Sequence, residues 1–341
     1  MYNRGIMNCK TFQKILFVID KIELKYFEFN NLVTNFWLIK EFLERGQEVF
    51  ITTIDKLSLS SAKACCRCAK SFLKGDNIYF EERFDFQQIE EFQLVMFRPD
   101  PPVDLDYINA TFILDFVDKA NTLILNDTKA IRDFNEKLHA NFFNEFMPEN
   151  IVTSNEKEIE SFLDKNQEII LKPLNQCFGS GVMYLKKGDK NTHSIINSMT
   201  KNQSTLIMVQ KYIPAAQFGD KRVLILGGEV LDECVTKLPS NGDFKFNNHS
   251  DEFIKKANLS ESEKQKFKQV AQKLNSMGIV MAGLDVIDEQ IIEVNVTSPC
   301  YFIKEINNHF SVNLEKVIVD YILTLSSPFM LHLSLLNCYK E

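Results

Sequence analysis

With 341 residues, 45% of them hydrophobic and 25% charged, the chain can bury cores for two or three packed units, which excludes disordered, fibrous and low-complexity classes. A net charge of −7 without a Lys/Arg-rich run argues against nucleic acid as a partner. No stretch reaches the roughly 18 apolar residues needed to cross a bilayer, and residues 1–6 lack a signal-peptide core, so a cytoplasmic protein without a membrane partner is expected.

Eight cysteines, three of them in Cys65-Cys66-Arg67-Cys68, fit reduced thiols better than a disulfide framework. With no second Cys pair and no His at ligand spacing nearby, a strand or hairpin face is expected there rather than a metal site. Only seven of the 39 basic residues are Arg, and only 12 residues are Gly. Positions that keep Arg or Gly are therefore the informative ones.

Residues 14–20 form an apolar run ending in Asp20, the pattern of a buried parallel strand whose last residue faces a crevice. Phe36, Trp37, Ile39, Lys40 and Leu43 recur at helical spacing up to Gly46, and residues 48–53 read as the next strand of a βαβ unit. The strand expected at 94–97 runs into Arg98-Pro99-Asp100-Pro101-Pro102, a stiff loop at the strand end where open α/β sheets bind ligands. A helix over 107–119 and a strand over 122–126 continue the alternation. Residues 12–130 thus read as a doubly wound α/β domain.

After a helix near 129–143, strands are expected over 168–173, 182–186, 204–210, 222–226 and 229–235. Gly227-Gly228 joins the last two as a hairpin. Residues 260–277 read as a charged helix with Phe267, Val270, Ala271 and Leu274 on one face.

Residues 283–299 carry the strongest chemical signal. A hairpin turning about Glu289 sets Asp285 opposite Glu293, with Asn295 on the same face. A two-residue turn would send the two acids to opposite faces. Two carboxylates and an amide oxygen make an all-oxygen half-cage suited to Mg²⁺; solvated acids on an exposed hairpin are the plain alternative. Upstream, Lys172 closes an apolar strand, and Phe178-Gly179-Ser180-Gly181 could offer backbone N–H groups to a phosphate. The spacing is not that of a Walker A loop, and a simple β-turn fits it equally.

Together these segments resemble the ATP-grasp ligases, specifically the bacterial type of glutathione synthetase. The resemblance runs from about Ile15 to Leu325. It rests on Arg98-Pro99-Asp100-Pro101-Pro102, Ile131-Arg132-Asp133-Phe134-Asn135-Glu136-Lys137-Leu138, Ile169-Ile170-Leu171-Lys172-Pro173-Leu174, Gly219-Asp220-Lys221-Arg222-Val223-Leu224, Gly283-Leu284-Asp285-Val286-Ile287 and Glu293-Val294-Asn295-Val296-Thr297-Ser298-Pro299.

The resemblance implies an N-terminal substrate domain over 12–130, then a two-lobed α+β ATP-grasp domain over 131–325 and a C-terminal tail over 326–341. The small nucleotide-binding lobe would be 131–210 and the large metal-binding lobe 211–325. The implied reaction joins γ-glutamylcysteine to glycine at the expense of ATP, through an acyl phosphate, giving glutathione, ADP and phosphate. In this family picture Lys137 and Lys172 hold the α- and β-phosphates, while Gln210, Lys211, Tyr212 and Ile213 form the adenine-contacting hinge. Asp220 and Arg222 reach the nucleotide or acyl phosphate, with Arg222 and Lys172 as the catalytic cations. Asp285, Glu293 and Asn295 would carry two Mg²⁺ ions, with Mn²⁺ as the alternative metal. Arg98 is expected to pair with a substrate carboxylate, with Thr34, Asn35 and Ser298 as polar neighbours; a loop salt bridge is its structural alternative. Bacterial relatives suggest a homo-oligomer, a tetramer.

The chain departs from the family's glycine- and arginine-rich lid. Over 239–254 only Gly242 remains, and Asp251-Glu252-Phe253-Ile254 stands in place of Gly-Gly-Arg-Gly, although Lys245 and Asn247 match the Arg and Asn at the loop's start. Residues 25–32 likewise replace a charged, hydroxyl-rich substrate loop. Two further readings therefore stay open: an ATP-grasp ligase for a different acid and amine, and a noncatalytic ATP-binding homologue. The five histidines form no catalytic arrangement; His249, in the lid, is the only one placed to touch substrate.

Overall fold

The computed structural model describes residues 12–21, 33–177, 179–239 and 252–325. The expectations for Phe178, for residues 25–32, for lid residues 240–251 with Lys245, Asn247 and His249, and for the tail from residue 326 lie outside these residues, while Ile254 at the end of the lid begins a strand.

The first sheet is assembled from β1 (Lys14–Ile19), α1 (Thr34–Glu44), β2 (Glu48–Thr53), β3 (Leu57–Ser60), β4 (Lys63–Lys74), β5 (Asn77–Phe80), β6 (Asp85–Gln88), β7 (Leu94–Phe97), α2 (Leu105–Leu114) and β8 (Leu123–Leu125). Its parallel part runs β2-β1-β7-β8, and β4 joins antiparallel beside β2, carrying β3, β5 and β6. The apolar run of β1 has a direct cause: Leu16 and Val18 enter one core cluster, while Ile15, Phe17 and Ile19 enter another on the opposite face. A strand covered on both faces needs no polar alternation. Gly46 ends α1 in the left-handed region at φ +83.

One expectation here shifts. The helix expected over 107–119 spans Leu105–Leu114, begun by Asp104, whose carboxylate accepts Tyr107 N. It stops short because Asp118 builds a turn of its own, accepting Ala120 N at 2.9 Å. Cys65, Cys66 and Cys68 are buried along β4.

The next elements are α3 (Thr128–Arg132), β9 (Asn150–Thr153), α4 (Glu156–Asn166), β10 (Glu168–Pro173), β11 (Met183–Lys186), α5 (Thr192–Thr200) and β12 (Ile207–Lys211). Their antiparallel sheet has the order β11-β10-β12-β9. The helix expected over 129–143 is broken: α3 ends at Arg132, and a 3-10 helix follows over His139–Phe146. Between them Asn135 Oδ1 accepts the backbone N–H groups of Lys137 and Leu138, a local bond that competes with the helical ladder. The strand expected from 204 begins at Ile207, because Lys201, Asn202 and Gln203 all have positive φ.

The third sheet comes from β13 (Asp220–Leu226), β14 (Glu229–Val230), β15 (Cys234–Lys237) and β16 (Ile254–Ala257), then α6 (Glu261–Ser276), β17 (Met281–Ile287) and β18 (Gln290–Asn295). Its order is β16-β15-β13-β17-β18, with β14 on β13. Gly227 and Gly228, at φ +61 and +82, make the expected hairpin turn, although the strand expected over 229–235 divides into β14 and β15. Ser260 and Glu263 form a capping box that starts α6. Helices α7 (Ile303–Phe310) and α8 (Leu314–Thr324) close the described chain. No helix among the described residues is long and apolar enough to cross a membrane.

Asn126, just after β8, ties the first sheet to the third. Its Nδ2 donates to Met281 O and Val296 O, and its Oδ1 accepts Val280 N and Met281 N, all at 2.8–2.9 Å in a buried setting. Asn126→Ala would strand four backbone groups, so a loss of about 3 kcal/mol is expected in urea unfolding; a loss below about 1 kcal/mol would mean that the joint is redundant.

Candidate active site

An open cleft with about 1370 Å³ of free volume lies among the loop after β7, strands β10 and β12, and the third sheet. Cross-strand register builds its floor: Arg222 on β13 stands opposite Asp285 on β17, which stands opposite Glu293 on β18. Three residues widely separated in sequence thus form one row across the sheet.

The expected pairing of Asp285 with Glu293 is present, but the turn that produces it differs from the expected one. Asp288 and Glu289 form a two-residue turn, with φ of +49 and +60. By itself that turn would put the acids out of register. The ladder shifts between Asp285 and Val286, whose partners are Glu293 and Ile291, so Ile292 is an extra, bulged residue that restores the match. The bulge also frees the Ile292 carbonyl, which accepts Lys172 Nζ at 3.2 Å.

Cations already surround the acids. Arg222 donates to Asp285 through Nε at 2.7 Å and Nη2 at 3.2 Å, and through Nη1 to Cys300 O. Lys237 bridges Asp285 Oδ1 at 3.0 Å and Asp220 Oδ2 at 2.8 Å. Burial pushes the Asp285 carboxyl up, but Arg222 and Lys237 outweigh it and hold the group well below the usual carboxylate range. Asp220 goes the other way: burial wins over Lys237 and raises it to about 7, and its Oδ1 has no partner. Gly219 permits this close approach, since at φ +103 a Cβ there would lie 2.5 Å from Lys237 O.

Asn295 donates through Nδ2 to Gly283 O and Asp285 Oδ2, leaving Oδ1 as its remaining group. Glu293 accepts Lys137 Nζ at 2.9 Å, and Lys137 also donates to Gln176 O at 2.7 Å. Lys172 is in a different position. It is buried, and its partners, Gln210 Oε1 at 2.8 Å and Ile292 O, are neutral. Burial pushes it down to about 8.

Gln210, Lys211, Tyr212 and Ile213 line the cleft beside apolar Ile170, Val182, Ala216 and Ile287. The buried Gln210 Nε2 has no partner. Gly179 and Ser180 also face the cleft, within a turn closed by Val182 N donating to Gly179 O.

Arg98, Asn35 and Ser298 do come together. Arg98 donates through Nε to Asn35 Oδ1 and through Nη2 to Pro299 O and Ser298 Oγ, and Thr34 Oγ1 accepts Tyr301 N. Of these four expected substrate contacts, Ser298 lines the cleft, whereas Arg98, Thr34 and Asn35 are buried behind its wall.

Sequence reasoning missed Lys237 and Glu136. Lys237 ends a largely buried strand of four residues, a weaker form of the signal that Lys172 gives near the end of β10. Glu136 Oε1 accepts Val296 N, Thr297 N and Thr297 Oγ1 at 2.6–3.0 Å. It straps down the segment that leaves β18, and its place beside Lys137 was the available clue.

Solved structures with this fold include D-cycloserine synthetase DcsG, which matches over 92% of this chain and 100% of its own with a TM-score of 0.65 at 12% identity. The ATP-grasp ligase PsnB, solved with a minimal precursor, Mg and ADP, matches over 92% and 98% with a TM-score of 0.58 at 14% identity. The fold is that of the ATP-grasp ligases. Within that class, residues 14–132 match the N-terminal domain of prokaryotic glutathione synthetase, and residues 136–311 match its ATP-grasp domain. The glutathione synthetase of Escherichia coli K12 is 32% identical over 292 residues, 84% of this chain and 91% of that protein. Its counterpart in Vibrio parahaemolyticus is 33% identical over 290 residues, with the same coverage. The chain belongs to the prokaryotic glutathione synthetase family. Enzymes of this class use ATP with divalent metal ions, and the family acts on small molecules.

Proposed function

We propose that the protein is a working glutathione synthetase that ligates γ-glutamylcysteine to glycine with ATP. The observation that carries this reading is Lys172, a buried lysine held by neutral oxygens, one of them Gln210 Oε1, next to the unpartnered Gln210 Nε2. A buried cation without an anionic partner suits a phosphate, and the apolar slot beside an orphan amide suits a purine.

The donor set also fits a divalent cation: Asp285, Glu293 and the Asn295 amide oxygen are hard oxygen ligands that would hold it. Once bound, it would neutralise charge on the transferring phosphoryl group. The chain's own part is electrostatic. A carboxylate is a poor electrophile, so the γ-phosphoryl group is moved onto it, and the amine then displaces phosphate. Lys172, Lys137 and Arg222 would orient the phosphates and oppose the charge that builds on the acyl phosphate. Burial among low-dielectric walls strengthens each of them. Two Mg²⁺ ions, a homotetramer and a lobe limit near 210 belong to this reading through family resemblance, and a cytoplasmic setting and a domain limit near 130 through the sequence pattern.

The test is ADP release with Mg-ATP and γ-glutamylcysteine, with and without glycine. Glycine-dependent release supports the reading. Release with a different amine in place of glycine replaces it with another ligation, and ATP binding without release under any amine replaces it with a noncatalytic role.

A further inference from the structure

Strands β1 and β7 are parallel neighbours, and the residues just beyond their carboxyl ends meet. Asp100 N donates to Asp20 Oδ2 at 2.6 Å. The Asp100 side chain lines the cleft and accepts a hydrogen bond from Ser298. A third group faces this pair from α2. The Tyr107 ring packs edge-on against Phe97, 5.4 Å between centroids. Its hydroxyl is fully buried without a hydrogen-bond partner, and burial first, then the charges of Glu136, Asp100 and Asp20, push its pKa up.

This nest is built for something cationic. Two neighbouring carboxyls in a half-buried site repel unless a positive group joins them, and an unpartnered buried hydroxyl is costly unless a ligand or water completes it. The Arg98 charge acts on Asp100 and lowers it, but burial and the Asp20 charge outweigh it. Burial and then the Asp20 charge push Asp100 up to about 7, the behaviour of a carboxyl short of positive charge.

We propose that Asp100, backed by Asp20 and flanked by the Tyr107 hydroxyl, is an ammonium subsite that binds the α-amino group of the acid substrate. The inference rests on the ligase reading above and deepens it: the cleft would select acids that carry a free α-ammonium remote from the reacting carboxyl. The amine substrate is excluded from this place by its chemistry. It must attack as a neutral amine, and a carboxylate pair would hold it protonated.

The test pairs a substrate change with a residue change. γ-Glutamylcysteine is compared with glutarylcysteine, identical except for the missing α-amino group, on the wild type and on Asp100→Asn. Wild-type kcat/KM should fall roughly a hundredfold when the amino group is removed, the scale of a lost charged hydrogen bond. Asp100→Asn should lose a similar factor on γ-glutamylcysteine and nothing more on glutarylcysteine, so that the variant treats the two alike. KM for ATP and glycine should stay within about twofold, a split that a misfolded variant would not show. Equal use of both dipeptides by the wild type, or an Asp100→Asn enzyme that still discriminates between them, overturns the subsite. Calorimetric binding of the two dipeptides gives the same comparison without turnover. Binding that depends on the amino group in a silent protein would support the subsite while counting against the ligase reading, and binding of neither dipeptide would overturn the subsite.

Discussion

Replacing Lys172 with Met lowers kcat for ADP release by about 10³-fold and yet leaves the unliganded protein at least as stable as the wild type at pH 7. The first effect follows from removing a buried cation aimed at phosphate, where a single lost electrostatic contact costs about 10²–10³ in rate. The second follows from desolvation. Lys172 has its pKa pushed down from 10.5 to about 8 by burial, so its charge is a cost to the folded state, offset only by two neutral acceptors. Between pH 8 and 10.5 the unfolded chain binds the extra proton, so this group's contribution to stability rises with pH across that window. Nucleotide binding runs the other way. Above about pH 8 a proton must be taken up when phosphate binds, so wild-type affinity for ATP should fall by up to about tenfold per pH unit, and Lys172→Met should lack that decline. ADP-release kinetics check the first effect, and calorimetric titrations and thermal unfolding of both proteins at pH 7, 8 and 9 check the others. A variant that is both inactive and several kcal/mol less stable would mean that Lys172 is a structural lysine.

Asp285→Ala should cost about 3–5 kcal/mol of stability in addition to activity. Arg222 and Lys237 both converge on this carboxylate in a buried row, and removing one member of such a set leaves uncompensated charge inside the protein. Because the folded-state pKa of Asp285 is depressed, its stabilising contribution is present above the ordinary carboxylate range and is lost as pH falls through and below it. The alanine variant should therefore show a shallower decline in stability on acidification than the wild type. Adding Arg222→Met should recover part of the loss, since one orphaned cation goes with it. Urea unfolding of the wild type, the single variants and the double variant checks this. A single-variant loss below about 1 kcal/mol would show that solvent enters the row freely.

What could be read in advance followed from strong periodic or compositional signals. The run in β1 and the carboxylate–carboxylate–amide segment in β17 and β18 were legible because burial on both faces and cross-strand pairing leave direct marks on composition. Lys172 was legible as a charge closing an apolar strand. The turn was not. Neither Asp288 nor Glu289 is a glycine, yet both take positive φ, and no residue type marks Ile292 as bulged. Asn35 and Ser298 were named as neighbours of Arg98 through the family resemblance and do bond to it, but they stand 63 and 200 residues away in the chain, so no local pattern shows that they hold the guanidinium inside the wall. Lys237 sits on a four-residue strand, too short for its pattern to separate it from surface lysines. The Asp20–Asp100 contact depends on two strand ends lying side by side, a tertiary fact that neither local pattern contains.

The bulge at Ile292 makes this hairpin count its residues. Its tip can change composition without disturbing the row of charges, in which Asp288 and Glu289 take no part, although Glu289 ties the tip to α6 by accepting from Ser260, Ser262 and Lys266. Its length cannot change so freely. Removing one residue between the tip and Glu293 would straighten the ladder with Asp285 still opposite Glu293, but would draw the Ile292 carbonyl back into the ladder, away from Lys172, whereas adding one would turn Glu293 toward the other face of the sheet. Single-residue insertions and deletions here should therefore be far more damaging than most substitutions, and variation compatible with an intact cleft should preserve the spacing between Asp285 and Glu293 even where the intervening residues differ.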